Sequence, residues 1–150
     1  MIAAGQPAPD FTLADQHGED VSLADFSGKK LLIVFFPFAF SGVCTDQLSR
    51  YETELRPQLA EKGVEMVAIS VDQKNAQKAF REKLEIETTL LADFEPKGEV
   101  AKAYGSWFEP AGMANRTLVL VDEDGVVEWA YESPSPGEAP APQVVLDALA

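Results

Sequence analysis

The sequence has 150 residues, of which 12 are Lys or Arg and 25 are Asp or Glu, so the net charge at pH 7 is −13. A chain of this length with 46% hydrophobic residues is expected to form a single domain, residues 1–150, with a substantial core. The acidic excess opposes binding to nucleic acid and to anionic membranes, because both require dense Lys and Arg. The first seven residues lack the features of a secretory signal, and no apolar run reaches membrane-spanning length, so we expect a cytoplasmic protein.

The N-terminal part of the chain predicts a hairpin followed by a buried strand. Two short apolar patches within residues 10–24 flank a turn sequence that contains His17, the single histidine, which we interpret as a solvated turn residue. Residues 30–36 form a continuous apolar run that Pro37 ends. Such a run is typical of a strand buried on both faces, as in parallel or mixed sheets.

Two amphipathic helices and a second buried strand come next. Residues 43–61 place apolar residues at helical spacing, with Pro57 expected to kink the helix or to start a second piece. Residues 64–71 are the second buried strand, so that strand, helix and strand form a right-handed βαβ unit. A further helix is predicted over residues 73–84, with one apolar face made of Ala76, Ala79, Phe80 and Leu84.

The second half of the chain begins with an insertion and ends with a hairpin and a helix. Residues 88–116 contain a short apolar piece, a short helix and an irregular stretch, whereas two apolar runs around the turn 122–125 predict a hairpin. The Pro-rich segment 133–142 cannot be regular, but residues 144–149 favour a closing helix. The resulting order β-α-β-α, insertion, β-β-α predicts an α/β thioredoxin-like fold, a mixed central sheet with helices on both faces.

Cys44 is the single cysteine, which excludes an intrachain disulfide. One Cys and one His also exclude an ordinary Cys/His zinc site, and we expect neither metal nor cofactor. A lone cysteine is most often a small buried residue without chemistry. However, Cys44 follows the first core strand, and ligands of open α/β sheets collect beyond the carboxyl ends of strands.

A reactive thiol at this position requires a cation. With Ser41 or Gly42 as the N-cap, Cys44 lies in the first helical turn, whose N–H groups stabilise an anion only modestly. Because only roughly 3% of an ordinary thiol is ionised at pH 7, a further positive charge is needed. Arg116 is the one basic residue between residues 103 and 150 and stands directly before an apolar strand. It is the candidate partner, although a strand-end arginine paired with a carboxylate is the ordinary alternative.

The spacing Pro37-x-x-x-Ser41-x-x-Cys44 resembles the Pro-x-x-x-Thr/Ser-x-x-Cys signature of peroxiredoxins. Residues 5–11, 67–72 and 115–116 resemble the family's opening, its second core strand and its distal arginine site. The run around Cys44 is most similar to the one-cysteine alkyl hydroperoxide reductase E group. This resemblance implies a thiol-dependent peroxidase on a thioredoxin-like scaffold, with Cys44 as the peroxidatic nucleophile.

The resemblance also implies supporting roles for the neighbours of Cys44. Ser41, Arg116 and the backbone N–H groups of Val43 and Cys44 would bind both peroxide oxygens, and Pro37 would shield the sulfur. Gln47 occupies a position where many members carry Glu, so it would orient the arginine without adding charge. The plain alternatives are that Ser41 is only a helix cap and Gln47 only a surface residue.

Three other functions compete with peroxide reduction. A cysteine hydrolase needs a histidine base, and nothing places His17 beside Cys44. A dithiol oxidoreductase needs Cys-x-x-Cys, and Ser41 stands where the first Cys would be. A thioredoxin-like binding or holdase module with an inert Cys44 is the main alternative.

A peroxidase with one cysteine needs partners beyond its peroxide substrate. Without a second cysteine, recovery of the enzyme requires an external thiol or a redoxin, and relatives commonly pair, so a homodimer is expected. A group of aromatic residues would favour organic hydroperoxides if it lined the site, but it fits a core or a dimer surface equally well; these are Phe38, Phe40, Trp107 and Phe108.

Overall fold

The computed structural model describes residues 1–150 and contains nine strands and five α-helices. The strands are β1 (Thr12–Asp15), β2 (Asp20–Ser22), β3 (Lys30–Phe35), β4 (Val64–Ser70), β5 (Thr89–Ala92), β6 (Trp107–Phe108), β7 (Met113–Ala114), β8 (Thr117–Val121) and β9 (Val127–Glu132). The helices are α1 (Gly42–Arg50), α2 (Arg56–Glu61), α3 (Lys74–Leu84), α4 (Glu99–Ala103) and α5 (Pro142–Leu149), with short 3-10 turns at Leu23–Phe26 and Glu109–Ala111.

Seven strands form one mixed sheet in the order β2-β1-β5-β4-β3-β8-β9, and β6 pairs separately with β7. The centre is parallel, because β3 pairs with β4 and β4 with β5 in the same direction, while β8 runs antiparallel to β3. Both predicted core strands are buried along almost their whole length, which agrees with their continuous apolar sequence. The predicted N-terminal hairpin is β1 with β2, and His17 is exposed at its turn.

The helix predicted over residues 43–61 forms in pieces, as Pro57 suggested. A π-helical turn, Tyr51–Leu55, joins α1 to α2, and Pro57 lies in the first turn of α2. Proline has no N–H to donate and its ring crowds the carbonyl four residues earlier, so a widened turn before it accommodates the break. Gly63, with a φ of +72°, lies in the left-handed region directly before β4 and reverses the chain.

The predicted inner face of α3 was partly wrong. Ala79 is exposed, and Gln77 is fully buried in the same part of the helix. The Gln77 amide donates hydrogen bonds to the Ser70 hydroxyl at 3.0 Å and to the Leu91 carbonyl at 2.8 Å. These two acceptors satisfy its donor group, which lowers the cost of burying a glutamine, whereas its Oε1 is buried without a hydrogen-bond partner.

The closing elements agree with prediction within two residues. β8 and β9 form the expected antiparallel hairpin, and α5 begins at Pro142 rather than at residue 144. Proline at the start of a helix is favourable because its φ is already helical and its missing N–H would have no partner.

The two faces of the sheet carry separate cores. Residues of α1, α2, α3 and α5 pack on one face, and residues of α4 pack on the other, as predicted for a mixed sheet covered on both sides. Cys44 belongs to the first of these cores. None of the five helices has the length and apolar character needed to cross a membrane.

Candidate active site

Cys44 lies in the first turn of α1, just beyond the end of β3. Ser41 is the N-cap, and its hydroxyl oxygen accepts a long hydrogen bond of 3.4 Å from the Cys44 backbone N–H. Of the two predicted caps the structure therefore selects Ser41, which makes Cys44 the third residue of the helix. The cysteine is unpaired and fully buried.

Arg116 reaches Cys44 because of the strand register. β8 pairs with β3 so that Thr117 is opposite Phe35, which brings the residue before β8 to the end of β3 where α1 begins. The Arg116 Nη2 donates a hydrogen bond to Cys44 Sγ at 3.2 Å, and only 2% of the arginine is exposed. The two residues that the sequence nominated separately are thus in direct contact.

Gln47 is buried beside them rather than on the surface, so the surface alternative is wrong. Its Oε1 accepts a hydrogen bond from Arg116 Nη1, while its Nε2 is buried without a hydrogen-bond partner. On the other edge of the guanidinium, Nε donates to the Pro136 carbonyl at 2.9 Å. Each of the three guanidinium nitrogens therefore has a partner.

The partners of Arg116 are all neutral. No carboxylate lies within ion-pair distance of it, so the alternative of a strand-end arginine paired with an acid is wrong. A buried cation without a counterion is costly. Of the groups that accept hydrogen bonds from Arg116, Cys44 is the one ionisable side chain. A guanidinium has five N–H donors, and three are used here, so two remain for a bound oxygen.

The loop before α1 adds further groups around the sulfur. Pro37 is buried, and the Val43 backbone N–H makes no hydrogen bond within the protein. An unpaired N–H at a helix start favours an oxygen or another anion. The chain holds no group of three or more His, Cys, Asp or Glu residues arranged to bind a metal.

Asp72 supports this loop and was not singled out from the sequence as a site residue. Its Oδ2 accepts hydrogen bonds from the Ala39 N–H at 2.7 Å and from the Ser70 hydroxyl at 2.6 Å. Next to Ala39, Phe40 has a φ of +68°, a conformation that bulky residues rarely adopt. An Asp directly after a buried strand was the available signal, but the sequence alone does not reveal its partner 33 residues earlier.

Tyr51 is the second residue near the site that sequence reasoning missed. It is buried one helical turn after Gln47, and its hydroxyl donates to the Pro140 carbonyl at 2.7 Å. Burial raises the pKa of Tyr51 to about 12, against the smaller opposing effects of Gln47 and Arg116. The tyrosine therefore remains a neutral donor at ordinary pH.

The four aromatic residues considered for the mouth of the site do not pack together. Phe40 is half-exposed and its ring packs against Phe80, whereas Trp107 lies under the Lys102 ammonium group. Phe38 and Phe108 are half-buried and make no ring contact with the other two. The sequence grouping therefore gives no single aromatic wall.

A buried cysteine at a helix start, held by a distal arginine on a mixed α/β scaffold, defines a thiol-based redox enzyme with a thioredoxin-like fold. The family model described as "AhpC/TSA family" matches residues 4–130. Alkyl hydroperoxide reductase E of Mycobacterium tuberculosis is 39% identical over 151 aligned positions, covering 100% of this chain and 97% of that protein. Peroxiredoxin Bcp of Escherichia coli is 34% identical, covering 87% and 86%.

A solved structure gives the same result for the fold. The crystal structure of Enterococcus faecalis AhpC superposes with a TM-score of 0.90 at 26% identity, covering 99% of this chain and 91% of that one. The predicted thioredoxin-like fold is confirmed. The chain belongs to the AhpC/TSA family, the peroxiredoxins. It is accordingly a thiol-dependent peroxidase, and its single cysteine fits the one-cysteine type.

Proposed function

We propose that Cys44 is the peroxidatic nucleophile and that Arg116 both stabilises its thiolate and polarises the peroxide. The observation that carries this proposal is the 3.2 Å contact between Arg116 Nη2 and Cys44 Sγ in a buried site without a carboxylate. The thiolate attacks one peroxide oxygen, an S–O bond forms and the O–O bond breaks. The other oxygen leaves with the bonding electrons, takes a proton and departs as water or an alcohol, and Cys44 becomes a sulfenic acid.

The remaining site residues bind and orient the peroxide. The two unused guanidinium N–H groups, the Ser41 hydroxyl and the Val43 N–H would donate to its oxygens and stabilise the charge that develops on the leaving oxygen. Gln47 would hold Arg116 through its Oε1 without adding a charge. Pro37, buried in the loop before Ser41, would exclude bulk water from the sulfur.

Recovery of the enzyme then depends on an external thiol or a redoxin. A first thiol attacks the Cys44 sulfenic acid, forming a mixed disulfide and releasing water. A second thiol attacks that disulfide, releases Cys44 and carries away the oxidised reductant. This order is supported by the absence of a second cysteine in the chain.

The proposal includes four further expectations, on domain organisation, localisation, oligomeric state and excluded partners. Residues 1–150 would form one domain, since a single seven-stranded sheet runs from β2 to β9. The enzyme would act in the cytoplasm as a homodimer, as peroxiredoxins typically pair. Nucleic acid and membranes are not expected as partners because of the net charge of −13.

Stopped-flow oxidation of the reduced protein by hydrogen peroxide, organic hydroperoxides and peroxynitrite tests the proposal. A panel of thiols and redoxins, added afterwards, tests recovery. We expect second-order oxidation of wild type by at least one peroxide and none with Cys44→Ser. Equal, negligible reaction of both proteins would favour a binding module with an inert cysteine.

A further inference from the structure

The Pro-rich segment between β9 and α5, residues 133–141, reaches the active site although it has no regular structure. We call this segment the strap. Two of its main-chain carbonyls are fixed by side chains of the site: Pro136 accepts from Arg116 Nε at 2.9 Å, and Pro140 accepts from the Tyr51 hydroxyl at 2.7 Å. Arg116 is therefore connected to the helix that carries Cys44 twice, directly through Gln47 and indirectly through the strap and Tyr51.

The contact with Pro136 controls how the guanidinium is oriented. Cys44 and Gln47 accept from Nη2 and Nη1, on the end of the planar group, whereas Pro136 accepts from Nε on its side. A planar fork held on two edges cannot rotate about its stem without breaking a hydrogen bond. Since the Pro136 acceptor belongs to the main chain, its position depends on where the strap lies.

Tyr51 fixes the strap from the opposite side. It lies one turn after Gln47, so both residues are on the same face of the helix. Its side chain is 1% exposed, and its hydroxyl is the side-chain donor that α1 and its π-helical turn direct at the strap. The helix therefore contacts Arg116 in two ways. Gln47 binds the guanidinium directly, and Tyr51 binds the strap, which in turn binds the guanidinium through Pro136.

We propose that Tyr51 is a positioning residue for peroxide reduction. By holding Pro140, it keeps the Pro136 carbonyl on Arg116 Nε and so aims both Nη groups at Cys44 and the incoming peroxide. The Tyr51 hydroxyl donates to Pro140 and not to the sulfur, so Tyr51 acts through Arg116. This inference rests on the proposed function, and it explains why an irregular segment far along the chain packs against the site.

Tyr51→Phe removes the hydroxyl and keeps the ring. The structure offers a matched control in Tyr104, which is also fully buried and whose hydroxyl also donates to a proline carbonyl, Pro9, at 2.7 Å, among residues of the opposite core. We expect Tyr51→Phe to lower the rate constant for Cys44 oxidation about tenfold, less than the roughly hundredfold cost of a full 1 Å misplacement. Tyr104→Phe should lose similar thermal stability and keep the wild-type rate.

A double-mutant cycle identifies the route. In an Arg116→Lys background, which has no Nε to hold Pro136, we expect the effect of Tyr51→Phe to shrink to about twofold or less. A full effect in that background would overturn the role through Arg116, as would equal rate losses in Tyr51→Phe and Tyr104→Phe. Failure of wild type itself to react with peroxide would instead overturn the proposed function.

A second variant tests the strap without changing the core. The Ser133 hydroxyl donates to the Ser135 carbonyl at 3.0 Å and contacts the Glu138 carbonyl, so it holds the bend of the strap. Ser133→Ala should lower the oxidation rate in the same direction by a smaller factor, again only when Arg116 is present. A wild-type rate in Tyr51→Phe would overturn the proposal whatever the rate of Ser133→Ala.

Discussion

The N-termini of α1 and α4 have similar positions in the fold, but their N–H groups bind different partners. Each helix begins beyond the carboxyl end of a parallel strand, α1 after β3 and α4 after β5. At α4, the two oxygens of Asp93 accept hydrogen bonds from the N–H groups of Val100 and Ala101 at 3.1 and 2.9 Å. At α1, the cap is the Ser41 hydroxyl at 3.4 Å, and the Val43 N–H has no partner.

The two helix N-termini differ in the source of the negative charge that faces them. At α4 the carboxylate is part of the fold, although burial raises the pKa of Asp93 more than the two N–H groups lower it. At the start of α1 no carboxylate accepts from the first-turn N–H groups, but Arg116 adds a buried positive charge. In the proposed mechanism, the anion that completes this site is a Cys44 thiolate and, during the reaction, a peroxide oxygen. A helix start without a fixed carboxylate, next to a cation, is thus suited to chemistry.

Removing the cation should produce the largest effect. We expect Arg116→Met to slow Cys44 oxidation by two or more orders of magnitude, as the loss of a strong electrostatic donor typically does. Arg116→Lys should recover only part of the rate, because it keeps the charge and loses the planar fork. Stopped-flow kinetics measure both.

The control for Arg116 is an arginine outside the site that also donates to main-chain carbonyls. Arg81 donates to the carbonyls of Thr88 and Glu87, so Arg81→Met also breaks arginine–backbone contacts. It should leave the oxidation rate unchanged. A near-normal rate in Arg116→Met would remove Arg116 from the mechanism.

Changing the cap separates stability from catalysis. Ser41→Ala should lose about 1 kcal/mol of unfolding free energy and slow oxidation roughly ten- to hundredfold through the lost donor to peroxide. Ser41→Asn restores a good cap without a hydroxyl. Urea denaturation and stopped-flow rates should then diverge, with stability recovered and the rate still low; parallel recovery of both would make Ser41 a cap only.

Gln47→Glu makes the start of α1 more like that of α4 by adding a carboxylate beside Arg116. The new carboxylate would offset part of the positive charge of Arg116, which in the proposed mechanism is offset by the Cys44 thiolate alone. Alkylation of Cys44 by iodoacetamide at pH 6 should therefore slow by roughly three- to tenfold. Unchanged or faster alkylation would mean that the neutral Gln47 has no part in favouring the thiolate.

The smallest effect is expected at α4. Because burial raises the pKa of Asp93 above its ordinary value of 3.8, the folded state binds its proton more readily than the unfolded state. The contribution of Asp93 to stability is then greatest below pH 4 and is lost as the pH rises through the folded pKa. Urea denaturation between pH 4 and 7 should show wild type gaining on Asp93→Asn as the pH falls; a constant or opposite difference would contradict this sign.

Much of the architecture was predictable because its signals are local. The apolar runs of β3 and β4, the turn between β8 and β9 and the break at Pro57 each depend on neighbouring residues in the sequence. The burial of Gln77 was not predicted, because its hydrogen-bond acceptors, the Ser70 hydroxyl and the Leu91 carbonyl, lie on other elements.

The residues of the site likewise divide into those with a local sequence signal and those without one. The Pro, Ser and Cys spacing is contiguous and identified the family, and Arg116 was nominated by its isolation in an acidic segment. Tyr51 and Asp72 were missed because each acts on a main-chain group, the Pro140 carbonyl 89 residues away and the Ala39 N–H 33 residues away. Main-chain partners leave no pattern in the side-chain sequence.

The most direct test is to treat the reduced protein with one equivalent of peroxide in the absence of any thiol, followed by intact mass measurement and a dicarbonyl probe. We expect one added oxygen atom on Cys44 as a sulfenic acid that the probe traps and that added thiol reverses, and excess peroxide should drive it to sulfinic acid. Rapid, quantitative formation of a Cys44–Cys44 interchain disulfide would contradict recovery by an external thiol. A Cys44 that stays unmodified in millimolar peroxide would contradict its role as the nucleophile.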